Sequence, residues 1–407
     1  MSEQPPQRAQ SNPPHGAFRP ETRAIHDGLR FRGHAGPVVP PIYATSTFLH
    51  GNPDGYDYTR SGNPNFTNLE DTLAGLENAA HATVFSSGVA AITAVTSSLK
   101  LGDLVLAEEN IYGCTFRLFS QVFEKFGVRV IYMDFSDRDN YKKIELLEPE
   151  LVWLESPTNP MLKIIDIEAV SRSAHKVGAS VLVDNTFCSG FVQQPLSLGA
   201  DLSLSSTTKY VNGHSDCLGG VVVTNDDSWG EKMVFAQKAL GLNPSPFDAW
   251  LIARGVKTLA PRMHRHQKNA LLLARHLEER SGVRWVRYPF LRSHPQHDLA
   301  RRQMSGGSGI VTADLGLDLA STQRFLANLT LFTFAESLGG VESLICHPAT
   351  MTHASVPRAI KERLGISDGV VRFSVGTEHV EDLIADIEYA LEGAYHEQPD
   401  CLTALAP

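Results

Sequence analysis

The chain has 407 residues, of which 42% are hydrophobic and 20% are charged, a balance typical of globular proteins. This length exceeds what one small core needs and predicts two domains. The formal net charge of −9 disfavours a polyanionic partner, and no apolar run in the sequence reaches the length of a membrane span. Composition therefore predicts a protein that binds neither nucleic acid nor membrane.

The N-terminal residues and the cysteines predict the cellular compartment. Residues 1–20 are rich in Pro, Gln and Ser and contain no apolar stretch of the kind found in signal peptides, so we expect a disordered arm. The 5 cysteines are odd in number, widely spaced and without a CxxC pair, which favours reduced thiols over a disulfide framework or a zinc site. We therefore predict a cytoplasmic protein.

Short β-branched runs alternate with amphipathic helical patterns between about residues 66 and 225. Several of the runs are apolar on both faces, as buried parallel strands are. This rhythm predicts an α/β domain with a doubly wound sheet and helices on both faces. The candidate strands are 83–87, 103–109, 128–134, 151–156, 180–185, 202–206 and 219–225, and the helical patterns include 88–99, 115–127 and 167–178.

The second half of the chain predicts a smaller α+β unit. A long helical pattern over 247–280 is interrupted near Pro261, and shorter strand and helix patterns follow up to a closing helix from His379. The Gly/Pro/His-rich stretch 289–309 predicts a loop. The predicted division is an N-terminal arm over 1–60, a cofactor domain over 61–255 and a C-terminal α+β domain over 256–407.

Polar residues follow the predicted strands where each strand ends. Because open α/β sheets bind ligands beyond the carboxyl ends of their strands, residues 86–88, 110–113, 155–160, 184–186 and 205–210 are expected to meet at one crevice. The first of these stretches, Ser-Ser-Gly, opens a helix. It supplies either an ordinary N-cap or backbone N–H groups for a phosphate.

Three further side chains suit an aromatic, phosphorylated cofactor. Asp184 ends an apolar strand and is either a turn cap or a partner for a protonated ring nitrogen. Tyr112 is either a surface aromatic or a stacking face. Lys209 alone would be a surface charge, but at a strand end beside Ser206 and Thr208 it becomes an amine able to attack a carbonyl near a phosphate.

With these residues the sequence resembles the Cys/Met-metabolism family of pyridoxal-phosphate enzymes over about residues 22–393. The family includes cystathionine γ-lyases, cystathionine synthases and methionine γ-lyases. The motifs are specific in combination. They are YDYTRSGNPN (56–65), FSSGVAA (85–91), IYGCTFRLF (111–119), ESPTNP (155–160), VDNTF (183–187), SSTTKYVNGHSD (205–216), RGVKTL (254–259), SHPQHDLARRQMSGG (293–307), AESLGGVESL (335–344), MTHASVP (351–357) and VRFSVGTE (371–378).

The resemblance implies a fold and a cofactor site. The fold is a fold-type I, aminotransferase-like large domain with a mostly parallel doubly wound sheet and a smaller C-terminal α+β domain. The cofactor is pyridoxal 5′-phosphate, and Lys209 and Tyr112 are the implied catalytic residues. The implied cofactor ligands are Lys209 at the aldehyde, Asp184 at the ring nitrogen, Tyr112 stacked on the ring, Asn159 near its phenolic oxygen, and Gly88, Val89, Ser206 and Thr208 at the phosphate.

The resemblance also implies a shared active site and a substrate clamp. Tyr58 and Arg60 match the pair that reaches the phosphate of the neighbouring subunit. The expected assembly is therefore a homotetramer, a dimer of dimers, in which the N-terminal arm contacts the partner. Ser337 and Arg372 match the clamp for the α-carboxylate of a small sulfur amino acid, and an arginine can bind a carboxylate through two hydrogen bonds.

Four residues bear on which member of the family this is. Glu336 and Arg117 match the acid and the arginine that receive the distal ammonium and carboxylate of cystathionine, and Asp57 could add a second acid. Cys114 instead matches methionine γ-lyases. We predict cystathionine γ-lyase activity. Methionine γ-lyase, cystathionine γ-synthase and O-acylhomoserine sulfhydrylase remain open as alternatives.

Two rival classes remain. The 16 histidines include the pairs His264/His266, His294/His297 and His347/His353, but none has an HExxH context or a nearby cysteine cluster, so we expect no metal. A catalytically silent homologue that binds the cofactor is the other rival. The simultaneous presence of the predicted lysine, acid, tyrosine and arginines argues against it.

Overall fold

A computed structural model describes residues 18–29, 36–351, 361 and 363–395. Two sheets organise the described chain, one of seven strands and one of five. Within these ranges no helix is long and apolar enough to cross a membrane. The predicted disordered arm over 1–20 lies mostly outside the described residues, and so does most of the MTHASVP motif.

The seven-stranded sheet has the order β1–β7–β6–β5–β4–β2–β3. Neighbouring strands from β6 to β3 are parallel, whereas β7 is antiparallel to both β1 and β6. The predicted mostly parallel sheet is therefore confirmed. The strands are β1 (His81–Phe85), β2 (Leu104–Glu108), β3 (Arg129–Met133), β4 (Leu151–Glu155), β5 (Ser180–Asp184), β6 (Leu202–Ser205) and β7 (Gly220–Thr224).

Successive residues of a strand point to opposite sides of the sheet, and in this sheet both sides are buried. In β4, Leu151 and Trp153 join one apolar cluster, while Val152 and Leu154 join another on the opposite face. Helices cover both faces, which parallel sheets require. The helices of this part are α1 (Pro20–His26), α2 (Pro64–Leu76), α3 (Gly88–Thr96), α4 (Gly113–Gln121), α5 (Tyr141–Leu147), α6 (Ile167–His175), α7 (Ser189–Val192), α8 (Asp227–Ala239) and α9 (Pro246–Val256).

The five-stranded sheet has the order β10–β11–β12–β9–β8 and its own apolar core, which includes Leu273, Phe373 and Leu391. Its strands are β8 (Trp285–Arg287), β9 (Ile310–Asp314), β10 (Thr333–Phe334), β11 (Leu344–Cys346) and β12 (Val370–Ser374). The helices are α10 (Leu259–Glu279), α11 (His297–Gln303), α12 (Leu319–Asn328) and α13 (Val380–Tyr395). The two sheets fall within the predicted second and third domains, and the domain boundaries themselves stay a prediction.

Two details differ from the sequence-based expectation. The helical pattern over 247–280 breaks at Lys257 and Thr258, and Pro261 lies in the first turn of α10, where its missing N–H is not needed. The stretch 289–309, predicted as a loop, contains α11. Only Ala300 of this short helix is buried, so its sequence carries no apolar period.

Glu77 offers a test of how the core responds to pH. It follows α2, its side chain is buried, and its Oε2 has no hydrogen-bond partner among the described residues. Burial raises the pKa of this carboxyl to about 7, although the nearby Ser203 hydroxyl opposes the rise, so the folded state holds a proton that the unfolded state releases, and stability falls as the pH rises towards 7. Glu77→Gln is expected to raise the free energy of unfolding at about pH 8 by roughly 1–3 kcal/mol.

Urea denaturation of wild type and variant at several pH values measures this effect, and the gain should shrink as the pH falls towards 5. Glu388→Gln is the matched control of opposite sign, because His276 and Arg280 lower the pKa of Glu388 despite partial burial. That variant should destabilise the protein at neutral pH. If the gain in stability of Glu77→Gln over wild type is smaller at high pH than at low pH, the pKa of Glu77 is not raised in the folded state.

Candidate active site

A cavity of about 370 Å³ lies at the carboxyl ends of β4, β5 and β6, beside the first turn of α3. The stretches expected to converge there do so, and the loop before β11 closes one side. Its lining residues are Ser87, Gly88, Val89, Ile92, Tyr112, Glu155, Pro157, Asn159, Asp184, Thr186, Phe187, Leu204, Ser206, Thr208, Lys209, Leu218, Glu336, Ser337, Leu338 and Arg372.

Lys209 projects into this cavity from the turn after β6. Its Nζ donates a hydrogen bond to Ser337 Oγ at 2.7 Å. Burial and the nearby Arg372 charge lower the pKa of the Lys209 amine to about 8, and Glu336 offsets part of this effect. A substantial fraction of the amine is therefore neutral near physiological pH, the form that attacks carbonyl carbon.

Asp184 ends β5 and is 7% exposed. Its Oδ1 accepts the backbone N–H of Thr186 at 3.0 Å. Burial raises the pKa of this carboxyl, and the hydrogen bonds from Thr186 counteract the rise. A buried carboxylate at a cavity wall is unfavourable without a cation, so the position suits a protonated ring nitrogen.

The first turn of α3 forms an end of the cavity suited to an anion. Ser87 caps the helix, and its Oγ accepts the N–H of Ala90 at 3.0 Å. A Cβ at Gly88 would lie 2.9 Å from Ser206 Cβ, so only glycine lets the helix start pack against that strand end. Backbone N–H groups of a helix start together with hydroxyls are a favourable environment for a phosphate.

Arg372 forms the opposite wall and is 3% exposed. Its Nη1 donates to Asn159 Oδ1 at 3.0 Å, and its Nη2 donates to the Ser337 carbonyl at 2.9 Å. Nε has no hydrogen-bond partner among the described residues. Because buried donors are normally paired, this guanidinium is prepared for a further acceptor such as a carboxylate.

Four interacting side chains lie at the cavity mouth. Arg117 Nη2 donates to Cys114 Sγ at 2.8 Å, one turn apart on α4. Burial, followed by the interactions with Cys114 and Glu336, raises the pKa of the Tyr112 hydroxyl above its ordinary value, while Arg117 opposes the rise. The hydroxyl therefore stays protonated. Tyr112 and Glu336 line the cavity, whereas Cys114 and Arg117 stand just outside its lining.

Besides Cys114 and Arg117, three predicted site residues do not line this cavity. Tyr58 and Arg60 line a separate cleft, where Arg60 Nη1 donates to the Lys238 carbonyl at 2.9 Å. The exposed Asp57 accepts the backbone N–H of Tyr58 through its Oδ1 at 2.6 Å. Their placement away from the cavity of their own subunit agrees with a role in a neighbouring one, which stays a prediction.

Several residues of the cavity wall were not predicted from the sequence as site residues. Glu155 and Thr186 lie in stretches expected at the crevice but were given no role of their own. Phe187 and Leu338 belong to motifs whose other members had been assigned, and Leu218 follows such a motif by two positions. Glu155 could have been assigned a role, because like Asp184 it is an acid that directly ends an apolar strand. The apolar residues carry no such sequence feature.

Two of the histidines considered as metal ligands bind backbone carbonyls instead. His266 Nδ1 pairs with the Val375 carbonyl at 2.7 Å, and His294 Nε2 pairs with the Leu162 carbonyl at 3.1 Å. Burial lowers the pKa of both to about 4. In the part of the chain that the structure describes, no group of three or more His, Cys, Asp or Glu residues is arranged to hold a metal. His353 lies outside the described residues.

The cavity fits pyridoxal 5′-phosphate. An amine, a buried carboxylate and a helix start with hydroxyls surround one space, as the aldehyde, ring nitrogen and phosphate of this molecule require. The unpaired Nε of Arg372 remains for the carboxylate of an amino acid. The chemistry of the donor set therefore supports the cofactor that the sequence predicted.

Comparison with known proteins agrees with this geometry. The profile of the Cys/Met metabolism PLP-dependent enzyme family matches residues 21–392. Cystathionine gamma-lyase of Dictyostelium discoideum is 46% identical over 91% of this chain and 97% of its own. Cystathionine beta-lyase of Lactococcus lactis is 44% identical over 91% of this chain and 98% of its own.

A solved structure of cystathionine gamma synthase from Xanthomonas oryzae, in complex with cystathionine, superposes with a TM-score of 0.90. It is 42% identical and covers 93% of this chain and 98% of its own. The chain belongs to the Cys/Met metabolism family of pyridoxal-phosphate-dependent enzymes. The predicted fold-type I architecture, the pyridoxal-phosphate cofactor and the class of carbon–sulfur lyase are thereby confirmed.

The lowered pKa of Lys209 predicts how the cofactor-free protein captures the aldehyde. Its rate of reaction with pyridoxal 5′-phosphate should rise about tenfold per pH unit and level off near pH 8, because the neutral amine is the nucleophile. Absorbance after stopped-flow mixing measures the rate. The same series with free N-acetyl-lysine corrects for ionisation of the aldehyde itself. A corrected rate still rising with unchanged slope at about pH 9.5 would contradict the prediction.

Proposed function

We propose that this enzyme cleaves L-cystathionine by γ-elimination, with water, to cysteine, 2-oxobutanoate and ammonia. One observation carries the proposal: an amine, three acids and a buried arginine surround one cavity, and Arg117 stands at its mouth near Glu336. The cavity thus offers a separate place for each charged end of cystathionine. Methionine γ-lyase activity is the second candidate. Cys114 matches methionine γ-lyases, and its contact with Arg117 engages the residue proposed for the distal carboxylate of cystathionine.

The proposed cofactor ligands are those that the family resemblance implies. Bound there, pyridoxal phosphate supplies an electron sink that makes the substrate Cα proton acidic. Asp184 would hold the ring nitrogen protonated and Tyr112 would stack on the ring. The remaining proposed ligands are Asn159 at the phenolic oxygen and Gly88, Val89, Ser206 and Thr208 at the phosphate, with Tyr58 and Arg60 of a neighbouring subunit.

The protein side chains would then carry the protons. Arg372 and Ser337 bind the substrate α-carboxylate, which holds Cα near Lys209. The Lys209 amine would accept the proton from Cα and, once it has released that proton, would accept the proton from Cβ whose loss expels the γ-sulfur, as a base whose pKa lies near the working pH does. Tyr112, kept protonated by its raised pKa, can donate a proton to the departing sulfur.

The distal end of the substrate would select cystathionine. Glu336 lines the cavity and is placed to receive the distal ammonium, while Arg117 on the exposed side of α4 receives the distal carboxylate. Asp57 of a neighbouring subunit could add a second acid. Since both charges of a zwitterion need a partner when they leave water, a site with one acid and one base favours cystathionine over methionine.

Assembly and location are also proposals. Residues 57–60 stand apart from the cavity of their own subunit, which supports a homotetramer built from dimers with shared active sites, contacted by the arm over 1–60. A cytoplasmic location is supported by the free thiols of the described cysteines, because disulfides persist in oxidising compartments. The domain boundaries at 60/61 and 255/256 are proposed together with this assembly.

The 2-oxo acid released from cystathionine tests the function. γ-Elimination yields 2-oxobutanoate, whereas β-elimination, which the relatives named cystathionine beta-lyase suggest, yields pyruvate and homocysteine. Purified enzyme is assayed with cystathionine, methionine, and O-acylhomoserine plus cysteine. We expect 2-oxobutanoate from cystathionine with the largest kcat/KM. Pyruvate as the main product, a larger kcat/KM for methionine, activity only in synthesis, or no turnover with bound cofactor would each overturn the proposal.

Glu336→Gln tests the distal contact. The change is expected to lower kcat/KM for cystathionine about tenfold to a hundredfold, because a charge-assisted hydrogen bond to the distal ammonium is lost. Methionine has no distal ammonium, so its kcat/KM should change less than about threefold by the same argument. Glu342→Gln is the matched control, an acid six residues along that hydrogen-bonds Ser215 outside the cavity. Equal losses for both substrates would exclude the distal role.

A further inference from the structure

Glu155 is a buried acid of the cavity wall that the proposed chemistry does not use. It is the last residue of β4 and is 5% exposed. In the register of the sheet it lies directly beside Asp184 of β5, so two carboxyl groups stand next to each other at the carboxyl edge. A buried acid beside another acid is unfavourable unless its contacts compensate, and these contacts indicate its role.

Each carboxyl oxygen of Glu155 accepts one backbone N–H. Oε2 accepts that of Tyr112 at 2.7 Å, and Oε1 accepts that of Asn159 at 3.0 Å. The two amides belong to different loops, one after β2 and one after β4. Each loop carries a side chain proposed to touch the cofactor. Glu155 is therefore a bridge between the loop after β2 and the loop after β4.

The bridge reaches both faces of the proposed cofactor site. Asn159, whose amide Glu155 holds, accepts a hydrogen bond from Arg372 at 3.0 Å through its side chain. Tyr112 immediately precedes α4, and no side chain caps that helix at Tyr112, so the hydrogen bond from its own N–H to Glu155 anchors the start of α4 to the sheet. One carboxyl group thus fixes the tyrosine on one side and the arginine–asparagine pair on the other.

A direct chemical role for Glu155 is less consistent with these contacts. Both of its oxygens are engaged by the backbone, whereas a group that exchanges protons with a substrate needs an oxygen directed at it. Burial first, and then the charge of Asp184, raise the pKa of Glu155 well above its ordinary range, while the two amides oppose that rise. The two amides, both from the cavity loops, favour the ionised form.

We propose that Glu155 is a positioning residue that sets the distance between the Tyr112 loop and the Asn159 loop, and thereby aligns the stacking tyrosine and the carboxylate-binding Arg372 on the cofactor. The inference rests on the proposed function for its catalytic consequence. Its structural part, the two amide contacts, is measurable in the cofactor-free protein.

Glu155→Gln keeps the size of the side chain but offers an N–H group where one amide needs an acceptor. In the cofactor-free variant, hydrogen–deuterium exchange of peptides covering residues 110–116 and 157–163 should be about tenfold to a hundredfold faster than in wild type. In the holoenzyme, the visible circular dichroism of the cofactor should weaken. The value of kcat should fall about tenfold or more, with a smaller change in KM.

Glu108→Gln is the matched control. Glu108 ends the neighbouring strand β2, is buried, and accepts the N–H groups of Asn110 and Phe135 at 3.3 and 2.9 Å, but it does not line the cavity. It should lower thermal stability while leaving the visible circular dichroism of the cofactor unchanged. Glu155→Asp keeps the charge but is too short to reach both amides, so it should resemble Glu155→Gln.

Three outcomes would overturn the inference. The first is a Glu155→Gln enzyme that loses activity although hydrogen–deuterium exchange of both peptides is unchanged, which would mean that the charge of Glu155 matters and not its two amide contacts. The second is full activity and dichroism in Glu155→Asp. The third can be tested even if neither variant folds. If the backbone amides of Tyr112 and Asn159 in the wild type exchange as fast as unstructured amides, Glu155 does not hold them. If instead the wild type turns over none of the tested substrates, the proposed function fails, while the exchange data still decide the role of Glu155.

Discussion

Lys209→Ala is expected to leave a folded protein that still binds pyridoxal phosphate. Its turnover of cystathionine should fall by a factor of about a thousand or more, the scale of losing a positioned base. The amine has two roles in the proposed function, covalent attachment of the cofactor and proton transfer at Cα, and no other described lysine lines the cavity. The contact of Nζ with Ser337 Oγ fixes the amine at the wall where the substrate α-carboxylate would bind.

Steady-state kinetics and chemical trapping measure these two roles separately. Borohydride reduction of the wild type should attach the cofactor to the peptide containing Lys209, and this label should be absent from the variant. Lys232→Ala is the control, because this lysine lies on α8 against Trp229, outside the cavity. A Lys209→Ala enzyme that keeps a tenth of wild-type kcat, or a label on another lysine, would remove Lys209 from the mechanism.

Much of the large sheet could be predicted from local sequence because its strands are buried on both faces. The run over 180–185 has three successive apolar residues followed by Asp184, and β5 matches it to within one residue. The same rule fails where burial is incomplete. α11 buries only Ala300, and β11 is three residues long, so neither leaves a periodic pattern.

The candidate site divides in a similar way. Strand-end residues such as Asp184 and Lys209 could be grouped from the sequence, since parallel strands end at one edge. Ser337 could not, because its contact with Lys209 joins residues 128 positions apart through the second sheet. Only the family resemblance supplied it. Ser337 has a positive φ of 100°, an arrangement that local propensity does not favour and that the surrounding loop must impose.

The positions of Tyr58 and Arg60 show a different limit. The resemblance assigns them to a phosphate, yet in a single subunit they lie in another cleft. A sequence does not say which copy of the chain a residue serves. The separation between this cleft and the cavity is what makes the shared-site proposal testable, because mixed oligomers of an Arg60 variant and a Lys209 variant could restore complete sites.

Asp184→Asn is expected to lower kcat about a hundredfold to a thousandfold, the scale observed when one preorganised charge is removed from an active site. An amide cannot keep a ring nitrogen protonated, so the cofactor loses its capacity to accept electrons from Cα. The substitution keeps the shape of the side chain and the acceptor for the Thr186 N–H. Steady-state kinetics with cystathionine and the absorbance of the bound cofactor measure the effect.

The stability of cofactor-free Asp184→Asn should not fall, although its kcat does. Burial raises the pKa of Asp184 in the cofactor-free protein, so the folded state binds more protons than the unfolded state above the ordinary pKa, and stability is lost as the pH rises. The neutral asparagine avoids this loss. Cofactor-free Asp184→Asn should therefore melt at a temperature no lower than that of wild type at about pH 6 and at about pH 8.

Asp314→Asn separates function from folding. Asp314 ends β9, is 3% exposed, and accepts the N–H of Gly316 two residues on at 2.9 Å, as Asp184 does for Thr186. It also contacts Ser367 and Arg284, away from the cavity, so its variant should lose stability and keep kcat. A carboxylate that is kept for catalysis destabilises the fold, so replacing it should not lower the melting temperature. An Asp184→Asn protein that melts lower than wild type at both pH values and keeps its kcat would therefore identify Asp184 as a structural cap.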